Sequence, residues 1–176
     1  MPEVSESQTP KQRVLFLCTG NACRSQMAEG WARALRSGSI EASSAGIERH
    51  GLNPSAVKVM SEAGVDISAH RSKTLDDLSE AAFDYVVTVC GLAHETCPRF
   101  PGNAKLIHVG FDDPPRLARQ AKTEEEALPH FRRVRDEIRH FVERLPDALE
   151  ELWKSQRQGS FTQSRKGRKA RKKNDL

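Results

Sequence analysis

Apolar positions along the chain fall into short continuous runs that alternate with longer segments of helical spacing. Arg13 to Cys18 (RVLFLC) is such a run ending at a turn signal, which predicts a strand buried on both faces of a parallel sheet. From Ser25 to Arg36, Met27, Trp31, Ala34 and Leu35 recur at the period of an amphipathic helix. Ile40 to Gly46 reads as a second strand, and Pro54 as the first-turn residue of a helix carrying Val57, Met60 and Ala63 up to Gly64. Asp84 to Cys90 (DYVVTVC) and Lys105 to Val109 (KLIHV) are the third and fourth strands. A capping-box pattern at Thr123 to Glu126 opens the last helix, where Pro129 is expected to divide a first turn from the main body. Its stripe runs through Phe131, Val134, Ile138, Phe141, Leu145, Leu149 and Leu152, with a bend expected at Pro146. Strand and helix alternate throughout, so the expected fold class is α/β: a three-layer α/β/α domain around a four-stranded parallel sheet.

Composition places the boundaries. Residues 1–12 are polar with Pro2 and Pro10 and predict a disordered arm, and after Trp153 the chain turns to Gly, Ser, Gln, Lys and Arg. The expected organisation is therefore a disordered arm at 1–12, a folded domain at 13–153 and a basic disordered tail at 154–176. The formal charge of +4 conceals this division: nine basic residues and one acidic lie from Lys154 onward, a net of +8, which leaves −4 for residues 1–153. No stretch approaches the roughly 20 apolar residues a membrane helix requires, and the first residues lack a signal-peptide pattern, so a cytoplasmic protein without membrane contact is expected. Four cysteines are too few for a secreted disulfide scaffold, and in a reducing compartment they point to catalysis, redox chemistry or metal binding.

Their positions narrow this. Cys18, five intervening residues and Arg24 lie between the first strand and the first helix. Successive backbone N–H groups of Thr19, Gly20, Asn21, Ala22 and Cys23 can point inward as a nest, the helix N-terminus adds positive potential, and Arg24 offers a planar fork to two oxygens of a tetrahedral anion. The same field favours the thiolate of Cys18 as a nucleophile. Asn21 can pin the loop by side-chain hydrogen bonds, and the Ser25 hydroxyl can donate to the Cys18 sulfur. Cys23 is expected to pack rather than react. Attack on an oxyanion needs an acid for the leaving oxygen, and Asp113, just past the fourth strand and held by Pro114, is the candidate, with Asp112 as its plain neighbour. Cys90 ends a strand and so shares a sheet edge with Cys18. Cys90 and Cys97, even with His94 and His108, do not make a zinc ligand pattern, and no metal is expected.

The stretches CTGNACRSQMAEGWAR, SSAGIERHGLNP, VVTVCGLAHETCP, HVGFDDP and TEEEALPHFRRVRDEI resemble, in order and spacing, the thioredoxin-coupled arsenate reductases, which share the low-molecular-weight tyrosine phosphatase fold. The resemblance covers about residues 13–145. It implies that Cys18 is the nucleophile, Cys90 and Cys97 the first and second resolving cysteines, Arg24 the oxyanion arginine and Asp113 the general acid. It implies no tightly bound cofactor, arsenate as substrate, thioredoxin as partner and a role in arsenic detoxification. Family members often hold potassium beside the loop. Asn21, Glu29 and Ser44 match three of its ligands, but Lys73 stands at the Asp position, so an ammonium is expected in the cation's place.

In the implied reaction Cys18 displaces an oxygen of arsenate, Cys90 attacks the adduct sulfur to release arsenite, and Cys97 attacks Cys90. If residues 91–97 are helical, their rise of about 10 Å exceeds the roughly 7 Å that a disulfide spans, so the segment must unwind on oxidation. Two other readings compete. A low-molecular-weight protein tyrosine phosphatase would use the same loop and acid without Cys90 and Cys97, and a nucleic-acid-binding protein would act through the basic tail.

Overall fold

The computed structural model describes residues 9–78, 82–91 and 102–158. Four strands, β1 (Gln12–Cys18), β2 (Ile40–Gly46), β3 (Tyr85–Thr88) and β4 (Lys105–His108), form one sheet in the order β2-β1-β3-β4 with every pairing parallel. β1 is central because its residues tolerate burial on both faces: Val14, Leu15, Phe16 and Leu17 are wholly inaccessible. Each such side chain contributes about 1.5–3 kcal/mol relative to exposure. Cys18 pairs with Gly46 at the end of the β1–β2 ladder, and β3 runs alongside to Thr88, so the loops after β1 and β3 leave from one edge.

Helices α1 (Arg24–Leu35), α2 (Pro54–Glu62), α3 (Pro114–Leu117) and α4 (Glu124–Glu143) follow in chain order. α2 starts where Asn53 Oδ1 accepts from the N–H groups of Ser55 and Ala56, at 2.9 and 3.2 Å. α4 starts where Thr123 Oγ1 accepts from Glu126 N–H, while Glu126 reaches back to Lys122 N–H rather than to the cap itself. Trp31 of α1 donates its indole N–H to the Arg135 carbonyl of α4, and Arg135 donates to the Val59 carbonyl of α2, which fastens three helices together. Sheet and helices together make the expected α/β/α architecture.

Three local expectations are corrected. Pro129 does not divide the last helix, which is continuous from Glu124 to Glu143. The proline forfeits one hydrogen bond, to the carbonyl of exposed Glu125, while buried Leu128 and Phe131 on either side hold the helix to the core. At Pro146 the chain does not bend but breaks: a turn at 144–146 ends α4, and a separate helical run spans 147–158. That run passes the expected limit of the fold at Trp153, because Gln156 is tied to the edge strand. Its amide donates to the His108 carbonyl at 2.8 Å and its oxygen accepts from His108 N–H at 3.0 Å, so one side chain pairs with the backbone of β4 as a neighbouring strand would. The arm residues 1–8, the segment holding His94, Cys97 and Pro98, and residues 159–176 lie outside the described residues. Among the described residues no helix is long and apolar enough to cross a membrane.

Candidate active site

The loop between β1 and α1 is shaped from behind. Its carbonyls are taken outward in sequence: Cys18, Thr19, Gly20 and Ala22 accept from the N–H groups of Ile47, Glu48, His50 and Asn53, at 2.9–3.2 Å. Asn21 O accepts from Gln26 Nε2, and Cys23 O accepts the first α1 bond from Met27. With the carbonyls drawn out, the N–H groups of residues 19–24 donate to no backbone carbonyl among the described residues and are available to an anion. The buttress comes so close that Gly46 admits no side chain. A Cβ there would lie 2.5 Å from Glu48 O and 2.7 Å from Asn21 N.

Asn21 is the loop's keystone. It sits wholly buried with φ +47°, a left-handed conformation that Asn adopts more readily than most residues. Its Oδ1 accepts from Lys73 N–H at 2.8 Å and Gln26 Nε2 at 2.9 Å, which fixes the amide's orientation. Nδ2 therefore faces Ser25 and Ser44 and donates to both hydroxyls at 2.9 Å. Ser25 Oγ, already accepting from Asn21, has its own proton free for Cys18 Sγ at 2.8 Å, a hydrogen bond that favours the thiolate. Ser44 turns its proton the other way, to Glu29 Oε2.

Glu29 is a carboxylate only 1% exposed. Arg33, one turn along α1, holds its Oε1 at 2.5 Å, and Lys73 Nζ stands 3.7 Å from Oε2. The expected group of Asn21, Glu29, Ser44 and Lys73 is thus brought together, with one amendment. Arg33, which the sequence reading passed over, is the nearer cation. The side chains present do not fit a potassium ion, since both oxygens of the only carboxylate in the group already face cationic groups.

The front of the site is a cavity of about 300 Å³ lined by the loop, His50, Asp113 and Pro115. Arg24 spans it, donating from Nη1 to the Phe111 carbonyl at 3.0 Å and pairing through Nη2 with Asp113 Oδ1 at 3.1 Å. Phe111 is itself set by its N–H on the Val89 carbonyl and by its ring against Phe141, centroids 6.0 Å apart. Asp112 is more than a bystander: it pairs with Arg133 of α4 at 3.0 Å and moors the acid's loop. Cys18 and Cys90 are both buried, and the Thr19 hydroxyl lies 3.3 Å from Cys90 Sγ, so the loop and the second thiol are in direct contact. Cys23 is buried as well. Desolvation pushes its thiol far above the ordinary range, against which Arg24 is a smaller opposing influence. It stays protonated, as a packing cysteine does. Cys97 lies outside the described residues.

What the sequence reading missed has a shared origin. Gln26, Glu48, His50 and Arg33 act on the loop from a neighbouring helix turn or from the segment after β2, and single polar residues there carry no spacing signal.

Residues 13–157 match the family of low molecular weight phosphotyrosine protein phosphatases. An arsenate reductase of Bacillus subtilis is 54% identical over 125 residues, which cover 71% of this chain and 88% of that protein. Among solved structures, an arsenate reductase in the phosphate binding state superposes with a TM-score of 0.60 at 32% identity, covering 76% of this chain and 95% of that one. The low molecular weight protein tyrosine phosphatase of T. tengcongensis gives 0.61 at 29% identity, covering 81% and 100%.

Proposed function

The chain belongs to the low molecular weight phosphotyrosine protein phosphatase family, and from its similarity to proteins named arsenate reductase we propose that it reduces arsenate to arsenite. Three thiols carry the electrons, Cys18 to Cys90 to Cys97, and thioredoxin recycles them in the cytoplasm as part of arsenic detoxification. The inward N–H groups and Arg24 bind arsenate, which has the shape and charge of phosphate, so the loop alone does not separate reductase from phosphatase. The observation that carries the reading is the second buried thiol, Cys90, which touches the loop through Thr19 at 3.3 Å. A phosphatase has no use for it.

Cys18 thiolate attacks arsenic, and Asp113 supplies a proton to the departing oxygen, which leaves as water. Cys90 then attacks Cys18 Sγ. The pair of electrons in the S–As bond passes to arsenic, arsenite departs, and a Cys18–Cys90 disulfide remains. Cys97 thiolate attacks Cys90, freeing Cys18, and the Cys90–Cys97 disulfide is reduced by two electrons from a dithiol donor. Asp113 starts on Arg24 at 3.1 Å, so an entering oxyanion competes with it for the guanidinium and places the acid beside the oxygen it must protonate. Glu29, Arg33 and Lys73 fix the rear of the loop without a bound potassium ion.

The test is turnover of arsenate with thioredoxin, thioredoxin reductase and NADPH, run beside hydrolysis of p-nitrophenyl phosphate without reductant. Sustained arsenate-dependent NADPH oxidation is expected. Cys18→Ser abolishes it, Cys97→Ser stops after one arsenite per chain with Cys18 joined to Cys90, and Cys23→Ser retains substantial activity. Multiple turnovers in Cys97→Ser, or ester hydrolysis without arsenate reduction in the wild type, would refute the relay.

A further inference from the structure

Residues 1–153 carry a net charge of −4, so at long range the body repels the anion that the proposed reaction brings to the loop. Many of its cations are engaged with acids of the protein itself, as Arg33 is with Glu29, Arg132 with Glu62 and Arg133 with Asp112. Among the described residues, the exposed side chains of Lys11, Arg71, Arg116, Arg119 and Lys122 have no such partner. Arg116, Arg119 and Lys122 follow closely on Asp113, and Pro115 between them lines the same cavity as Cys18 and Arg24. The segment is compact: Leu117 N–H closes α3 on the Asp113 carbonyl at 3.0 Å, and a 3₁₀ turn at Ala118–Gln120 continues it. At a rise of about 1.5–2 Å per residue, Arg116 and Arg119 stand within about 8 Å of Pro115 along the axis, with Lys122 somewhat further out. The acids Glu124, Glu125 and Glu126 come later still, in the first turn of α4, where they suit a helix N-terminus.

We infer that Arg116, Arg119 and Lys122 are an electrostatic guide that draws the oxyanion to the loop through their field rather than by contact. This rests on the arsenate reading. Near pH 8 arsenate, like a phosphate group, carries about two negative charges. One positive charge about 10 Å away in water, screened at 0.1 M salt where the Debye length is also about 10 Å, multiplies the affinity of such an ion by about 1.7. Three such charges multiply it about fivefold, and at 0.01 M, where the Debye length is about 30 Å, about 20-fold. The guide also has a direction. Arsenous acid, the reduced product, is uncharged near neutral pH, so the field that brings the substrate in does not retain what leaves. Lys11 has no share in this, because it precedes β1 and the strand's rise of about 3.3 Å per residue puts it about 20 Å from Cys18.

Binding measured without turnover separates this proposal from the reaction it rests on. In the Cys18→Ser background, which removes the nucleophile, calorimetry would follow orthophosphate at ionic strengths of about 0.01, 0.1 and 1 M. Combining Arg116→Gln, Arg119→Gln and Lys122→Gln should weaken binding about 20-fold, about fivefold and by less than about 1.5-fold respectively. Arg116→Lys with Arg119→Lys, which keeps the charges and changes the shape, should bind as the parent does, and so should Lys11→Gln. With Cys18 restored, the neutralised variant should lose arsenate kcat/KM by the same salt-dependent factors, through KM and with kcat unchanged. No loss at the lowest salt would overturn the guide. A loss as large at 1 M as at 0.01 M, or a lysine pair that binds as poorly as the neutralised variant, would mean contact in place of a field and overturn it equally. Failure of wild-type protein to reduce arsenate would instead refute the arsenate reading and leave the phosphate affinities interpretable.

Discussion

Replacing Asn21 separates two roles that one residue combines. The side chain makes four hydrogen bonds, and the backbone sits at φ +47°. In Asn21→Gly the backbone conformation is retained and the bonds are lost. Gln26 keeps partners on Asn21 O and Arg71 O, and Ser44 keeps Glu29, so the main casualty is the Lys73 N–H, left without its acceptor. A buried donor left unmade costs about 1–3 kcal/mol. Asn21→Ala loses the same bonds and adds a left-handed alanine, at about 1–2 kcal/mol, offset by the roughly 0.5–1 kcal/mol by which glycine raises the entropy cost of folding. The glycine variant should therefore be the more stable of the two by about 0.5–1 kcal/mol, both lying below wild type. Urea denaturation with a shared slope measures the difference. Arsenate kcat/KM should fall about tenfold in each, because both remove the amide that directs the Ser25 proton to Cys18. An alanine variant as stable as the glycine variant, or an activity loss confined to alanine, would refute the keystone account.

Three further outcomes are expected. With Glu29 already paired to Arg33 and Lys73, the melting temperature should be the same in sodium and potassium buffers of equal ionic strength, and a potassium-specific rise would contradict the fit. Hydrogen bonds from Lys105 and Tyr85 lower the Glu150 carboxyl from 4.5 to about 2. Because its folded value is depressed, its stabilising contribution is complete above about pH 4.5 and lost as pH falls toward 2, so Glu150→Gln should flatten thermal stability across that window, weakly because the pair is solvent-screened. Deleting residues 159–176 removes Arg165, Lys166, Arg168, Lys169, Arg171, Lys172 and Lys173, and should leave arsenate turnover nearly unchanged. Any binding of the full chain to a labelled DNA duplex should disappear with the tail and weaken steeply with salt, and equal negligible binding by both forms at low salt would mark the tail as solvated chain.

Periodicity determined the α/β order and the strand cores, because burial on two faces demands an unbroken apolar run such as Val14 to Leu17, and burial on one helix face demands the spacing of Phe131, Val134, Ile138 and Phe141. The loop's chemistry was legible for a related reason: the residues from Cys18 to Ser25 are contiguous, so their types and spacing survive in one dimension. Cys90 could be placed near the same edge because parallel strands end together, although β3 stops at Thr88 rather than at Cys90 as predicted, with Val89 N–H on the Leu17 carbonyl carrying the chain on to the loop. Spacing could not decide whether Pro129 ends a helix, since the answer depends on what Leu128 and Phe131 pack against. Nor could it extend the fold to residue 158, which hangs on one amide finding the backbone of a strand 48 residues away. Arg33 on Glu29, Asp112 on Arg133 and His50 against Gly20 are likewise pairings across space. Polar contacts of this kind need one residue on each side and leave no period in the sequence, so only the tertiary structure decides them.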